Sequence, residues 1–482
     1  MKKYLITAVI FSLGLGSCKF LDESPTLEVK TEEAIQRPSD VQAAIIGAYN
    51  YLQFDPRTNF SWADRYIVYA DLIDPSNMRS RSTFSGDREV SQRRMTSNTV
   101  EFSHLWEAMY KSIEACNAAL DVLPGISGYS SVADEETALR GQDEAELRFL
   151  RAFNYFNLWR MFGPVPLRTK PTRSGDELTN PLPQASEADL AAAIINDLNI
   201  AEEKFIYDSP ADVGGAGRAT RLAATALLAR VYANLNDWSK AEAKATEVIE
   251  SGLTSLSSNY SELYEVEYVP EHILKLDFNV NDQNALANAY TLGTAINRYL
   301  VRPSLLFAFE PDADKILDGT YADQRLTRSV KYSPDLSVCW TGKYFRTATQ
   351  DDDVILIRLS EMYLIRSEAR AYQGDISGAL EDLNVVRNRA RIEPVAGLTE
   401  RNDVLLAIEN ERRLEFCFEG HWYYELAKRP DWDNPSLTRA QVVLGGVDEN
   451  GNLVPMNATY NRFPIPNSEI TTNPNITQNP GY

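Results

Sequence analysis

Four cysteines and three histidines are scattered through 482 residues. After Cys18, the cysteines Cys116, Cys339 and Cys417 are odd in number and far apart, and no Cys-x-x-Cys occurs. That excludes a redox pair or a zinc ribbon. Cys116 and Cys417 sit in apolar, helical contexts, where a free cysteine behaves as a small buried hydrophobe. His104, His272 and His421 show no metalloprotease spacing, so no metal or cofactor is implied. Basic charge is also short: 48 Lys and Arg stand against 68 Asp and Glu, a net charge of −20. A body this acidic repels phosphate backbones and argues against nucleic-acid binding. Beyond the first fifteen residues no apolar run approaches the roughly 20 residues of a membrane span, so the body is expected to be soluble.

What is present begins at the N-terminus. Lys2 and Lys3 precede a nearly unbroken apolar run, Tyr4 to Leu15. Its length suits a secretory signal. Leu15-Gly16-Ser17-Cys18 resembles the bacterial lipobox, which implies cleavage after residue 17 and acyl chains such as palmitate on Cys18. Several chains on one residue anchor stably, because each buried CH₂ contributes about 0.8 kcal/mol. Residues 18–32 are polar and acidic, carry Pro25 and read as a lipidated tether. Lys19 after the cysteine resembles an outer-membrane destination, and Asp22 and Glu23 resemble a signal for the cell exterior.

The remainder, residues 33–482, reads as one helix-dominated domain. Val41, Ala44, Ile45, Ala48 and Leu52 share a helix face, with a cap expected at Ser39 and Asp40. Leu105, Met109, Ile113, Cys116 and Leu120 share another, in a helix stopped by Pro124-Gly125. Phe149, Phe153, Tyr155, Phe156, Trp159 and Phe162 wrap most of the way round a helix that ends at Gly163-Pro164, the mark of a buried helix. Two blocks then resemble each other, 222–252 and 360–390. Aligning Asp237 with Asp375 pairs Ala233 with Ala371, Ala241 with Ala379 and Val248 with Val386. Each reads as two helices joined by a tight turn, similar to the tetratricopeptide unit, which must stack on neighbours to bury its faces. Two long stretches, about 54–98 and 260–349, lack helical period and are dense in aromatic, Asn, Asp and Arg residues. Loops of that length carry function or short strands of their own. Near Gly445 a hairpin is expected, with Asn450-Gly451 as its turn; the alternative, a calcium loop, fails the EF-hand offsets. The Pro- and Asn-rich end, "NPNITQNPGY", reads as a strap over the body.

Several blocks together resemble one family, the SusD/RagB proteins. They are "AELRFLRAFNYFNLWRMFGPVPL", the two helix-pair segments, "ENERRLEFCFEGHWYYEL" and "RFPIPNSEITTNPNITQNPGY". They follow the family's order across nearly the whole chain. Trp422 departs from the arginine common after the Glu-Gly-His run, which touches helix packing more than ligand contact. The resemblance implies a mainly α fold, with tetratricopeptide-like helix pairs packed in one superhelical body, a loop-rich region and a few short strands. It also implies a non-catalytic lipoprotein of the outer membrane. Such a protein captures oligosaccharide or polysaccharide and passes it to a partner SusC-like TonB-dependent transporter.

Sugar binding suits the residue types of the two irregular stretches. A pyranose ring presents a face of C–H groups, to which a flat aromatic ring is complementary. Arg, Asn and Asp then bond the hydroxyls, Arg through a rigid fork. In the first stretch the candidates are Trp62, Tyr66, Arg79, Arg81 and Phe84, with Tyr69, Asp71 and Asn77 beside them. In the second they are Tyr290, Tyr299, Trp340 and Tyr344. Trp340 is the preferred platform, since "SVCWTGKYF" offers a large ring few neighbours to pack on. Core packing competes for every one of these rings. Two other readings stand beside this one. A glycoside hydrolase needs two carboxylates about 5–10 Å apart; Asp351, Asp352, Asp353 and Glu361 are the obvious nominees, although 351–353 also reads as a cap for a following helix. A peptide-binding or protein-only scaffold would use the helix pairs alone. Glu411, Glu415 and Glu419, with Arg412 and Arg413, read as an ion-pair network rather than a catalytic centre.

Overall fold

The computed structural model describes residues 34–53, 61–172, 181–295 and 297–482. Stretches with helical apolar spacing are helices in it. They are α1 (Pro38–Gln53), α2 (Trp62–Leu72), α3 (Ser85–Ser91), α4 (Val100–Val122), α5 (Ala133–Phe162), α6 (Glu187–Lys204), α7 (Arg221–Asn234) and α8 (Trp238–Glu250). After the short α9 (Leu286–Tyr290) come α10 (Leu359–Gln373), α11 (Ile376–Ala390), α12 (Arg401–Glu415) and α13 (Trp422–Leu426). Asp40 accepts from the N–H groups of Gln36 and Arg37 at the start of α1, whose buried face is Val41, Ile45, Ala48 and Leu52. From Gln142 onward α5 is buried round most of its circumference. It stops at Gly163, where φ is 76° and a Cβ would meet the Arg462 guanidinium at 2.7 Å, so glycine is needed twice over.

The helices stack in sequence. α4 packs on α1, α5 on α4, α6 on α5, α7 on α6, α8 on α7, α10 on α8 and α11 on α10, with α12 closing against α10 and α11. This is the mainly α, tetratricopeptide-like architecture expected from the two matching blocks. Small residues set the crossings: Ala233, Ala241, Ala245, Ala371 and Ala379 are all buried. No helix among the described residues is long and apolar enough to cross a membrane.

Short strands complete the body. β1 (Met78–Ser80), β3 (Tyr299–Val301), β4 (Lys331–Tyr332) and β5 (Cys339–Trp340) form a sheet in the order β1-β3-β5-β4. β2 (His272–Leu276) pairs antiparallel with β6 (Val354–Arg358) in the interior. β7 (Gly446–Val447) and β8 (Leu453–Val454) make the expected hairpin. Its turn is one residue longer than Asn450-Gly451: Asp448 N–H donates to the Asn452 carbonyl and Gly451, at φ 82°, closes a three-residue loop.

Three expectations are corrected. The stretch about 54–98 contains helices α2 and α3. Trp62, Tyr66 and Tyr69 stand at helical spacing, but α2 is buried on every side, which hides an amphipathic pattern. Its capping box, Ser61 with Asp64, was the legible signal. The stretch about 260–349 likewise carries several short helices, α9 among them. Finally, Asp351–Asp353 leads into strand β6, not a helix. Asp352 accepts from the N–H groups of Phe345 and Arg346, and Asp353 pairs with Lys275 at 2.6 Å.

Under the helices lies a buried ion network. Arg325 reaches Glu411 and Glu415, Arg358 reaches Glu271, Glu415 and Glu419, Arg389 reaches Glu271 and Glu415, and Lys343 reaches Glu419 at 2.6 Å. Burying such ions costs several kcal/mol each, which only multiple well-placed partners offset. The arginines hold Glu415 and Glu419 well below the usual carboxylate range, Glu419 at about 2. Cys116, Cys339 and Cys417 are free and buried. Burial pushes their thiols up to about 12, 11 and 11, so they serve as apolar filling. The C-terminal strap is tied down by Asn479, whose amide donates to the carbonyls of Phe162 and Phe463.

Candidate functional site

The β1-β3-β5-β4 sheet joins the two aromatic- and arginine-rich stretches, which lie more than two hundred residues apart in the chain. Met78 stands opposite Val301, Arg79 opposite Leu300, Val301 opposite Cys339, and Lys331 opposite Trp340. Alternation along each strand then sorts the residues onto two faces. Met78, Val301 and Cys339 point inward and are fully buried. Arg79, Leu300, Trp340 and Lys331 form a row across the outer face, where Arg79 is exposed and Trp340 and Lys331 are half-buried.

The β1–β3 ladder runs beyond the strands. Arg81 N–H donates to the Arg298 carbonyl at 2.6 Å, and Arg302 N–H donates to the Asn77 carbonyl at 2.8 Å. By alternation Arg81, Arg298 and Arg302 fall on the same side of the ladder as Arg79; Arg81 is exposed there and Arg302 half-buried, while the Arg298 side chain is only 14% exposed and reaches the buried Asp87 at 3.9 Å. The Arg298 guanidinium lies 3.9 Å from the centre of the exposed Phe84 ring, a cation–π contact that holds both side chains at the rim. Arg81 donates to the Asn297 side-chain oxygen at 3.2 Å. Past β5, the exposed Phe345 ring is flanked by Arg328 at 4.5 Å and Arg346 at 5.5 Å.

Four of the nominated ligand residues, Arg79, Arg81, Phe84 and Trp340, thus gather around one face. Five others are corrected. Trp62, Tyr66, Tyr290, Tyr299 and Tyr344 are at most 2% exposed and pack on protein. Trp62 stacks on Tyr66 at 4.7 Å, Tyr66 on Tyr424 at 5.2 Å, and Tyr290 lies against Tyr299 and Tyr344. Their rings are spent on the core beneath the sheet, so no sugar reaches them. Tyr69, Asp71 and Asn77 are buried as well. Burial raises Asp71 to about 7, although Phe418 N–H and the Asn77 amide donate to it. Sequence reasoning missed Arg298, Arg302 and Lys331. The two arginines flank the strand "YLV" four residues apart, a spacing that puts them on one face; that signal was readable. Lys331 comes in only through pairing with Trp340.

The nominated carboxylates are engaged elsewhere. Glu361 is held by the Arg230 fork at 2.5 Å and is fully buried. Glu361, His421 and Glu425 converge closely enough for a metal, but Arg230 and Arg412 already supply the positive charge there. The trio Glu267, Asp277 and Asp353 surrounds the Lys275 ammonium in the same way. A cleft of about 340 Å³ opens between α1 and α5. Its acidic groups, Asp143 and Glu146, are bonded by Gln42, Tyr129, Tyr49 and Arg218.

Two family models match the chain. One, described as the SusD family, matches residues 328–482. The other, described as starch-binding and associating with the outer membrane, matches residues 19–233. The chain belongs to the SusD family. The SusD-like protein P38 of Formosa agariphila is 25% identical, with all of both chains covered. The starch-binding protein SusD of Bacteroides thetaiotaomicron is 26% identical over 73% of this chain and 74% of its own. Among solved structures, the surface glycan-binding protein A of Bacteroides uniformis superposes with a TM-score of 0.74. It is 22% identical and covers 92% of this chain and 99% of its own. The stacked helix pairs and short strands are therefore the SusD-family fold.

Proposed function

We propose that this protein is a cell-surface glycan-binding lipoprotein. It captures oligosaccharide or polysaccharide on the outer face of the β1-β3-β5-β4 sheet and delivers it to a partner SusC-like TonB-dependent transporter. The observation that carries the reading is the row Arg79, Leu300, Trp340 and Lys331, an aromatic ring flanked by forked and pointed donors on a rigid helical scaffold. Trp340 serves as the stacking platform, and Arg79, Arg81 and Lys331 bond hydroxyl or acidic groups of the ligand. Relatives named for starch and surface-glycan binding support the same class of ligand. Binding needs no reacting group; of the carboxylates nominated for hydrolysis, Glu361 and Asp353 are held in ion pairs and Asp352 by backbone N–H groups. Acyl chains on Cys18, which lies outside the described residues, would hold the body at the outer membrane, facing the exterior.

Calorimetric titration of the body lacking residues 1–18 against a glycan panel tests the ligand class. Heat with at least one glycan, lost in Trp340→Ala, is the expected result; no heat with any glycan overturns it in favour of a protein-only scaffold. Sugar release by the purified protein alone would overturn the non-catalytic role. For the anchor, metabolic labelling should place fatty acid on the wild type and none on Cys18→Ala.

A further inference from the structure

Resting on the glycan-binding reading, we propose that the ligand of this sheet face is an acidic glycan, whose carboxylate or sulfate groups sit against Arg79, Arg81, Arg302 and Lys331. The chain as a whole is strongly acidic, with net charge −20. Yet one side of a single small sheet gathers Arg79, Arg81, Arg302 and Lys331, with Arg298 beneath them. Asp87 stands 3.9 Å from Arg298. Arg79, Arg81, Arg302 and Lys331 form no ion pair among the described residues. Several buried arginines elsewhere in the fold are neutralised: Arg230 by Glu361, Arg366 by Asp382, Arg429 by Glu368 and Arg439 by Glu409. The sheet face departs from that habit.

Its arrangement is also costly. Arg81 faces Arg298 across the ladder, and like charges directly opposite one another destabilise a sheet. Burial, and after it the neighbouring Arg328, push the Lys331 ammonium below its ordinary value. Charges on an edge strand have a simpler use, since they block edge-to-edge pairing. That accounts for Arg79 and Arg81 on β1, an edge strand. Arg298 has its partner in Asp87, but Arg302, at the end of a strand paired on both sides, is left unexplained. A bound anion accounts for Arg79, Arg81, Arg302 and Lys331 together. It would neutralise the repulsion, accept from the guanidinium forks in pairs, and be drawn to a positive patch on an otherwise acidic body. Trp340 and Phe84 within the same patch supply the apolar faces that a sugar ring needs and a bare anion does not.

The test is calorimetry on the body lacking residues 1–18 with three sets of oligosaccharides of matched length: uronate-bearing, sulfated and neutral. The expected result is that one acidic set binds at least about tenfold more tightly than the neutral set. Which acidic set wins separates carboxylate from sulfate recognition. That preference should shrink as salt rises from about 50 to about 500 mM. Arg79→Gln should weaken the acidic ligand by about three- to tenfold and weaken neutral ligands clearly less, so that the preference narrows; its side chain is exposed, so the fold is kept. If neutral glycans bind as tightly as both acidic sets, or the preference is insensitive to salt, this inference is overturned while glycan binding stands. If no glycan of any set binds, both fall.

Discussion

Asp237 and Asp375, 138 residues apart, cap equivalent helices with the same backbone: φ −84°, ψ 76° at one and φ −82°, ψ 75° at the other. Each carboxylate accepts from the N–H three residues on, Lys240 and Gly378. The two helix pairs are one structural unit used twice, and the turn aspartate sets the angle at which each second helix leaves. Asp237→Ala and Asp375→Ala should each lower stability by about 1 kcal/mol. Denaturant melts would show equal losses if the units are equivalent.

Trp62 and Trp340 should behave in opposite ways. Trp62 is 1% exposed and packed on Tyr66 and Phe153. Trp62→Ala should cost about 3–5 kcal/mol of stability through the cavity it leaves. Trp340→Ala should change stability far less and reduce glycan affinity by about 2 kcal/mol if the ring is a central anchor. Paired melting and calorimetry on both variants checks the contrast.

Removing one partner from the buried network should be severe. Arg358 bonds Glu271, Glu415 and Glu419 at once. Arg358→Met leaves those carboxylates buried with less compensating charge and should cost about 3–5 kcal/mol. Replacement of Arg413 provides the comparison, because its fork reaches only Ser76 and the Asn77 side chain among the described residues. Arg413→Met should cost clearly less in the same denaturation experiment.

Stability should peak on the acid side of neutrality. Glu419 has a folded pKa of about 2 against an ordinary 4.5. Its contribution is fully present above about pH 4.5 and is lost as pH falls toward 2. Asp71 and Asp352 run the other way: burial raises them to about 7 and 6, so the folded state holds protons the unfolded chain has released, and stability falls as pH rises from about 4 through 7. Melting temperatures across pH 3 to 8 should therefore show a maximum near pH 4. A profile rising steadily to pH 8 would contradict the assignment of Asp71.

The helical scaffold was legible because its signals are local. Caps, glycine stops and apolar spacing act within one or two turns, and the Asp237 and Asp375 blocks could be aligned by eye. The hairpin at Gly451 and the strap ending at Tyr482 were readable for the same reason. Burial of aromatic residues was not. Trp62, Tyr66, Tyr290, Tyr299 and Tyr344 lie in stretches dense in Asn, Asp and Arg, as a ligand-binding ring would, and packing from distant segments covers them. Arg79 and Trp340 look no different in sequence, yet they stay at the surface.

Local chemistry along the chain was enough to specify the helix pairs and the buried all-round helix α5, since each depends on neighbours within a few residues. Which rings face solvent, and which cations meet on one surface, was decided by the pairing of β1 with β3 and of β4 with β5. Those contacts join residues about 220 apart in one case and about 10 in the other, and hydrogen-bond register between separate strands sets the face on which every side chain emerges.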